Sequence, residues 1–202
     1  FRSHLEAQVI AQRFKQARQQ REAELHQRQH AAAVEALRLW NAAAPANPDH
    51  LYLTRKGVKP YNLRQRGDVL LVPLYLGHQL VNLQRIHPGG GKRFLSGGMV
   101  KGCYSLLGVV TAGQSLYDCE GWATGATIHA ETGGAVACAM NAGNLLHVGQ
   151  RLQREHSEAV LIVAGDDDRQ TEGNPGRTAA TKAAATLGCG LIFPPWSGDE
   201  PL

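Results

Sequence analysis

Apolar and polar positions recur with three different periods along these 202 residues. From residue 3 to 43 the spacing is helical: Leu5, Val9 and Ile10, then Phe14 and Ala17, fall on one face. The stretch has no Gly or Pro and is rich in Ala, Gln, Glu, Arg and Leu, which favour helix. A very polar run, Gln16 to His30, interrupts that face before Ala33, Val34, Leu37 and Trp40 resume it. Two helices or one long kinked helix are therefore expected. The polar run reads as a solvent-facing linker helix; Arg13, Lys15, Arg18 and Arg21 would alternatively offer a surface for phosphates. His26 and His30 have metal-ligand spacing but no acidic third ligand in register, so they read as surface residues. Pro45 and Pro48 end the helix and mark the clearest boundary in the chain. Beyond it, a short helix is closed by Gly57.

From 67 to 108 short strands replace the helical period. Val69–Tyr75 is a strand that Pro73 assigns to an edge or a bulge. Gly77-His78 turns the chain into a return strand, Gln79–Ile86. Pro88–Gly91 makes a second turn, and Lys92–Ser96 forms a third strand before Gly97-Gly98. The whole is a small β meander. Its glycines read as turns, and no P-loop pattern is present.

From 114 onward strands and helices alternate. Ser115–Cys119, Ala135–Cys138, Val160–Ala164 and Leu191–Phe193 are apolar, strand-length runs. Between them lie helical segments starting near Trp122, after a cap at Asn144, and after Asn174-Pro175 with its capping Asn. Four parallel strands with right-handed crossovers are predicted, hence an open α/β sheet. Two of these strands end in acids: Glu120 follows the first, and Asp166, Asp167 and Asp168 follow the third. Adjacent carboxylates cannot lie unpaired in an apolar core, so they belong just past the strand ends. That edge is where open α/β sheets bind ligands. An acidic turn after a strand is often no more than solvated. Glu120 with Asp166 and Asp168 on successive units of one βαβ pattern is instead a hard-oxygen set suited to Mg²⁺.

Composition and charge narrow the picture. Hydrophobic residues make up 43% of the chain, which fits a globular protein. No apolar run approaches a membrane span and no signal peptide is apparent; the absent Met at Phe1 suggests a fragment of a longer protein. Cys103, Cys119, Cys138 and Cys189 are spread singly, which disfavours zinc; Cys119 and Cys138, in apolar strand sequence, read as buried thiols, and a cytoplasmic protein is implied. Charge is segregated: +5 over 1–60, +5 over 61–113 and −6 over 114–202. A basic front and an acidic back suit a polyanion held near a metal.

Glu120 with Asp166-x-Asp168 resembles the signature of the Toprim domain, the metal-binding domain of primases, topoisomerases and related nucleases. Arg169, followed by Gly173 and Gly176, looks like the primase form of that motif with a longer loop from Gln170. The meander carries a second resemblance, to the basic subdomain that precedes Toprim in bacterial replicative primases. Val72-Pro73-Leu74, Gly77, Arg85, Lys92–Ser96 and Tyr104–Gly108 match its elements in order. Residues of about 50 to 202 thus resemble the polymerising core of a plasmid- or phage-type primase, of the kind found on conjugative plasmids.

The resemblance implies an α/β fold, α+β overall. Its Toprim-like parallel sheet of four strands, residues 114–202, follows a basic β-rich subdomain, 49–113, and a helical segment, 1–48. It implies nucleotidyl transfer, in which a 3′ hydroxyl attacks the α-phosphate of an NTP on a single-stranded DNA template. Glu120, Asp166 and Asp168 would hold Mg²⁺ or Mn²⁺, with Glu120 also assisting proton transfer. Asp167 would stand behind these ligands or face solvent. Arg85, Lys92, Arg93 and Arg169 would neutralise triphosphate or template phosphates, and Trp122 would pack beneath the site. A helicase or zinc-binding domain would lie elsewhere in the full protein. The alternatives are a Toprim nuclease using the same acids and a single-stranded DNA-binding module with an idle acidic site. A topoisomerase is disfavoured, since no helical DNA gate surrounds Tyr104 or Tyr117.

Overall fold

The computed structural model describes residues 2–167 and 171–194, with side chains from residue 8 onward. One helix, α1 (Arg2–Asn41), covers the N-terminal region. Its 40 residues make it ~60 Å long. The polar run does not break it, because nothing in that run removes a backbone hydrogen bond. Arg18 and Glu22, one turn apart, are exposed and paired at 2.8 Å. Only the last turns are buried: Ala32, Ala36 and Leu39 share a face. Ala36 and Leu39 pack against Leu71, Leu83 and Leu95 of the meander. The helix thus belongs to the sheet beneath it at its C-terminal end and to solvent over most of its length.

The meander is a five-stranded antiparallel sheet in the order β1-β2-β3-β4-β5. Its strands are β1 (Ala44–Pro45), β2 (Arg64–Arg66), β3 (Val69–Leu76), β4 (Gln79–Ile86) and β5 (Lys92–Phe94). The short helix α2 (Leu51–Lys56) is closed by Gly57 at φ 64°. Strand β3 is interior, not an edge. It tolerates Pro73 because that residue lies past the last β2 pairing, Arg64↔Leu71, and before the register shift at Leu74/Tyr75. Tyr75 then pairs with Tyr104 through two backbone bonds of 2.9 and 3.2 Å. Tyr104 directly precedes β6 (Ser105–Leu107), a strand of the second sheet, so this bridge joins the two sheets.

The second sheet runs β10-β9-β7-β8-β6. Strands β7 (Ser115–Cys119), β8 (Ala135–Cys138), β9 (Val160–Ala164) and β10 (Gly190–Ile192) are parallel, as the βαβ rhythm predicts. Strand β6 adds a fifth, antiparallel edge that three residues are too short to signal. Helices α4 (Leu145–Glu155) and α5 (Pro175–Leu187) cover one face, where Leu116 and Val163 meet Val148, Leu152, Ala180 and Ala183. Helix α3 (Trp122–Thr132) covers the other. There Cys119, Val136, Trp122 and Ala126 share one core with Tyr52 of α2 and with Leu70, Val72 and Ile86 of the first sheet. Both sheets therefore stand on a continuous apolar layer.

Asn144 does not cap α4 with its side chain, contrary to expectation. Its buried amide donates to the carbonyls of Val100, Cys103 and Ala139 at 2.9–3.0 Å and accepts from Gly102 N at 2.7 Å. The buried loop carbonyls need donors, and Asn144 supplies them. Asn174 does cap α5, accepting from Arg177 N at 3.3 Å. Among the described residues no helix is long and apolar enough to cross a membrane.

Candidate metal site at the strand ends

Strands β7 and β9 are parallel neighbours, with Cys119 in register with Ala164. Glu120 therefore leaves β7 level with Gly165, and Asp166 lies one residue further along the adjacent strand end. Both backbones are fixed by ladder bonds that continue past the strands. Ala139 N donates to Cys119 O at 2.8 Å, Met140 N to Glu120 O at 2.7 Å, and Gly165 N to Ile192 O at 3.0 Å. Both acids are half-buried. Asp166 Oδ1 accepts from Thr124 Oγ1, in the first turn of α3, at 3.4 Å. Helix α3 starts two residues after Glu120, and its positive end favours carboxylates there. Trp122 is buried under this edge, in the shared core.

Gly165 is required by space and not by φ. A Cβ there would lie 2.5 Å from both Ala180 Cβ and Phe193 Cε1. The close approach of α5 aims the next two residues in opposite directions. Asp166 turns to α3; Asp167 turns to α5. Asp167 is buried, which corrects one of the two places expected for it, facing solvent, and leaves the other, behind the ligands. Its Oδ1 accepts from Asn174 Nδ2 at 2.6 Å and its Oδ2 from Arg177 Nη1 at 3.3 Å. Arg177 also stacks its guanidinium 4.3 Å from the Phe193 ring centroid. Asn174 and Arg177, at and just inside the start of α5, are site residues that sequence reasoning missed. So is Thr124.

Asp118 is a different kind of carboxyl. It lies on β7 in phase with Leu116, is fully buried, and neither oxygen has a hydrogen-bond partner. Burial pushes its pKa well above the usual 3.8, because an apolar surrounding favours the neutral form. Cys119 and Cys138 stand 3.9 Å apart beneath Glu120. Their mutual contact first, then burial, drives the Cys119 thiol well up, which makes it an unreactive core residue.

Oxygen donors at a partly open edge fit a hard divalent cation. Among the described residues no three His, Cys, Asp or Glu side chains gather as a metal cluster. Of the expected ligands Glu120 and Asp166 stand at this edge, while Asp168, and with it Arg169, lies outside the described residues. The family description that matches residues 115–190 is "Toprim domain". The chain carries a Toprim domain. Its similarity to curated proteins extends further than that domain. It is 33% identical over 190 residues to a DNA primase TraC of Escherichia coli, covering 88% of this chain and 18% of that protein. A second Escherichia coli DNA primase TraC is 32% identical over 193 residues, covering 90% of this chain and 13% of that one. The chain thus spans less than a fifth of the length of these relatives, and both alignments run well beyond the Toprim stretch. No solved structure gives a significant match.

The basic residues expected to serve the Toprim edge are not on one surface. Arg85 and Arg93 are cross-strand partners, and Arg85 is also opposite Leu71, whose side chain packs under α1. Register partners share a face, so both arginines are on the α1 side of the meander. Lys92 is opposite Ile86, on the side of the shared core, with Nζ 6.0 Å from the Tyr52 ring centroid.

Proposed function

We propose that this chain is the catalytic core of a primase, making short RNA primers on single-stranded DNA in plasmid or phage replication or transfer. The observation that carries this reading is the joining of an acidic Toprim edge to a basic β meander by one core, with similarity to TraC primases running through both. The meander argues for a polymerase over a nuclease, because it resembles the basic subdomain that precedes Toprim in replicative primases and that other Toprim proteins lack.

In this reading Glu120, Asp166 and Asp168 hold Mg²⁺ or Mn²⁺ by oxygen donors. The bound cation supplies positive charge to the triphosphate oxygens. Glu120 accepts the proton of the attacking 3′ hydroxyl or returns one to the leaving group. Lys92, on the core side of the meander, serves the triphosphate. Arg85 and Arg93, on the α1 side, serve the template backbone. Arg169 follows the acids directly and serves the same phosphates as Lys92.

The test is primer synthesis from labelled NTPs on single-stranded DNA with Mg²⁺ or Mn²⁺, with Glu120→Ala and Asp166→Ala run beside the unaltered chain. Short products lost in both variants support the reading. Degraded template without new product replaces it with a nuclease. Intact template and no product, even with a preformed primer, replaces it with a binding module.

A further inference from the structure

The middle acid of the run has no task in the reaction above, yet it is buried and held by two side chains. Its side chain is 2% exposed. A buried carboxylate is costly unless charge and hydrogen bonds compensate it. Here both do, through Asn174 at 2.6 Å and Arg177 at 3.3 Å. Asn174 has φ 40°, a left-handed conformation that a residue other than Gly keeps only when its surroundings demand it. Its amide is fixed at one end by Asp167 and at the other by Arg177 N.

We infer that Asp167 is a positioning residue: with Asn174, Arg177 and Phe193 it forms a latch that aims Asp166 at a divalent cation. Consecutive residues explain how. Gly165 is bonded to Ile192 and wedged against Ala180 and Phe193. Asp167 is tied to the start of α5. Asp166 lies between two fixed points, and its carboxylate leaves the backbone toward α3, where Thr124 meets it. Arg177 closes the latch by touching both sides, Asp167 by charge and Phe193 by its flat face. A residue that orients a ligand in this way typically changes metal affinity by about 10- to 100-fold when removed.

The inference rests on the reading of Glu120 and Asp166 as metal ligands, and the experiment separates the two. Mn²⁺ alone is titrated into the whole chain and followed by electron paramagnetic resonance, with the melting temperature of the metal-free chain recorded for each variant. Asp166→Asn is expected to abolish specific binding. Asp167→Asn and Arg177→Met are each expected to weaken it about 10-fold or more. Their double variant is expected to be no weaker than the poorer single one, since both break one latch. Arg177→Lys, which keeps the charge, recovers part of the affinity. Should Asp167→Asn fail to fold, Arg177→Met carries the same test, because that side chain is 49% exposed. Mn²⁺ affinity unchanged in Asp167→Asn or Arg177→Met, but lost in Asp166→Asn, overturns the latch and leaves the metal site standing. Fully additive losses in the double variant also overturn it. Binding that survives Asp166→Asn, or is absent from the unaltered chain, overturns both.

Discussion

Asp118 and Glu120 are two residues apart at one strand end, yet one is a buried core carboxyl and the other a candidate ligand. The Asp118 side chain faces α4, where a Cβ at Gly149 would stand 3.3 Å from Oδ2. Glu120 is past the strand, at the edge. Residues two apart on a strand share a face, so it is the end of β7 at Cys119, and not strand alternation, that separates a buried carboxyl from one placed to ionise.

Asp118→Asn is expected to stabilise the fold near neutral pH. Burial raises the folded pKa above the unfolded value of 3.8. The contribution of Asp118 is therefore fully present below that value and is lost as pH rises from it toward the folded pKa. The variant, which does not titrate, gains relative to the unaltered chain over that window. Urea unfolding from pH 3.5 to 8 checks this; a constant difference across the range would refute it.

Gly165→Ala is expected to damage the acidic edge out of proportion to its size. One methyl must displace Ala180 or Phe193, at about 1–3 kcal/mol for an overpacked site. Mn²⁺ affinity is expected to fall with stability, because the same displacement turns Asp166. Thermal melts and Mn²⁺ titration on one preparation read both.

Asn144→Ala is expected to cost about 2–4 kcal/mol, since it leaves several buried loop groups without partners. Asn144→Asp is expected to be comparably harmful, because a carboxylate cannot donate to Val100, Cys103 and Ala139. Chemical denaturation of both variants decides it; a helix cap would be lost in the alanine and kept in the aspartate.

Far-ultraviolet circular dichroism and Trp122 fluorescence are expected to report one coincident unfolding transition, because Trp122 lies in the core that both sheets share. With Trp40 and Trp196 replaced by Phe to isolate the signal, two separated midpoints would contradict that core.

Much of this arrangement was legible before any coordinates. The parallel strands announced themselves as apolar runs too short for helices, and the acids after them had to lie at the edge because no core could hold them. The direction of Asp167 was not legible. It depends on how closely α5 approaches Gly165, a matter of packing between residues far apart in the chain. Asn144 looked like a cap because it precedes a helix; two of its three carbonyl partners come from a loop some forty residues earlier. The division of the basic residues was in the sequence but unread. Lys92 and Arg93 are neighbours on a strand, and neighbours on a strand face opposite ways.

The bridge between Tyr75 and Tyr104 has a consequence for how such a protein can be cut and recombined. The stretch recognisable as Toprim starts at 115, beyond that bridge and beyond β6. A piece severed there would leave the meander's half of the apolar layer behind and present Trp122, Ala126 and Val136 to water. Such a piece is expected to aggregate, and grafting it elsewhere requires a replacement surface for the missing sheet. The unit that sequence comparison picks out and the unit that must fold together are not the same length, and a working transplant has to carry the longer one.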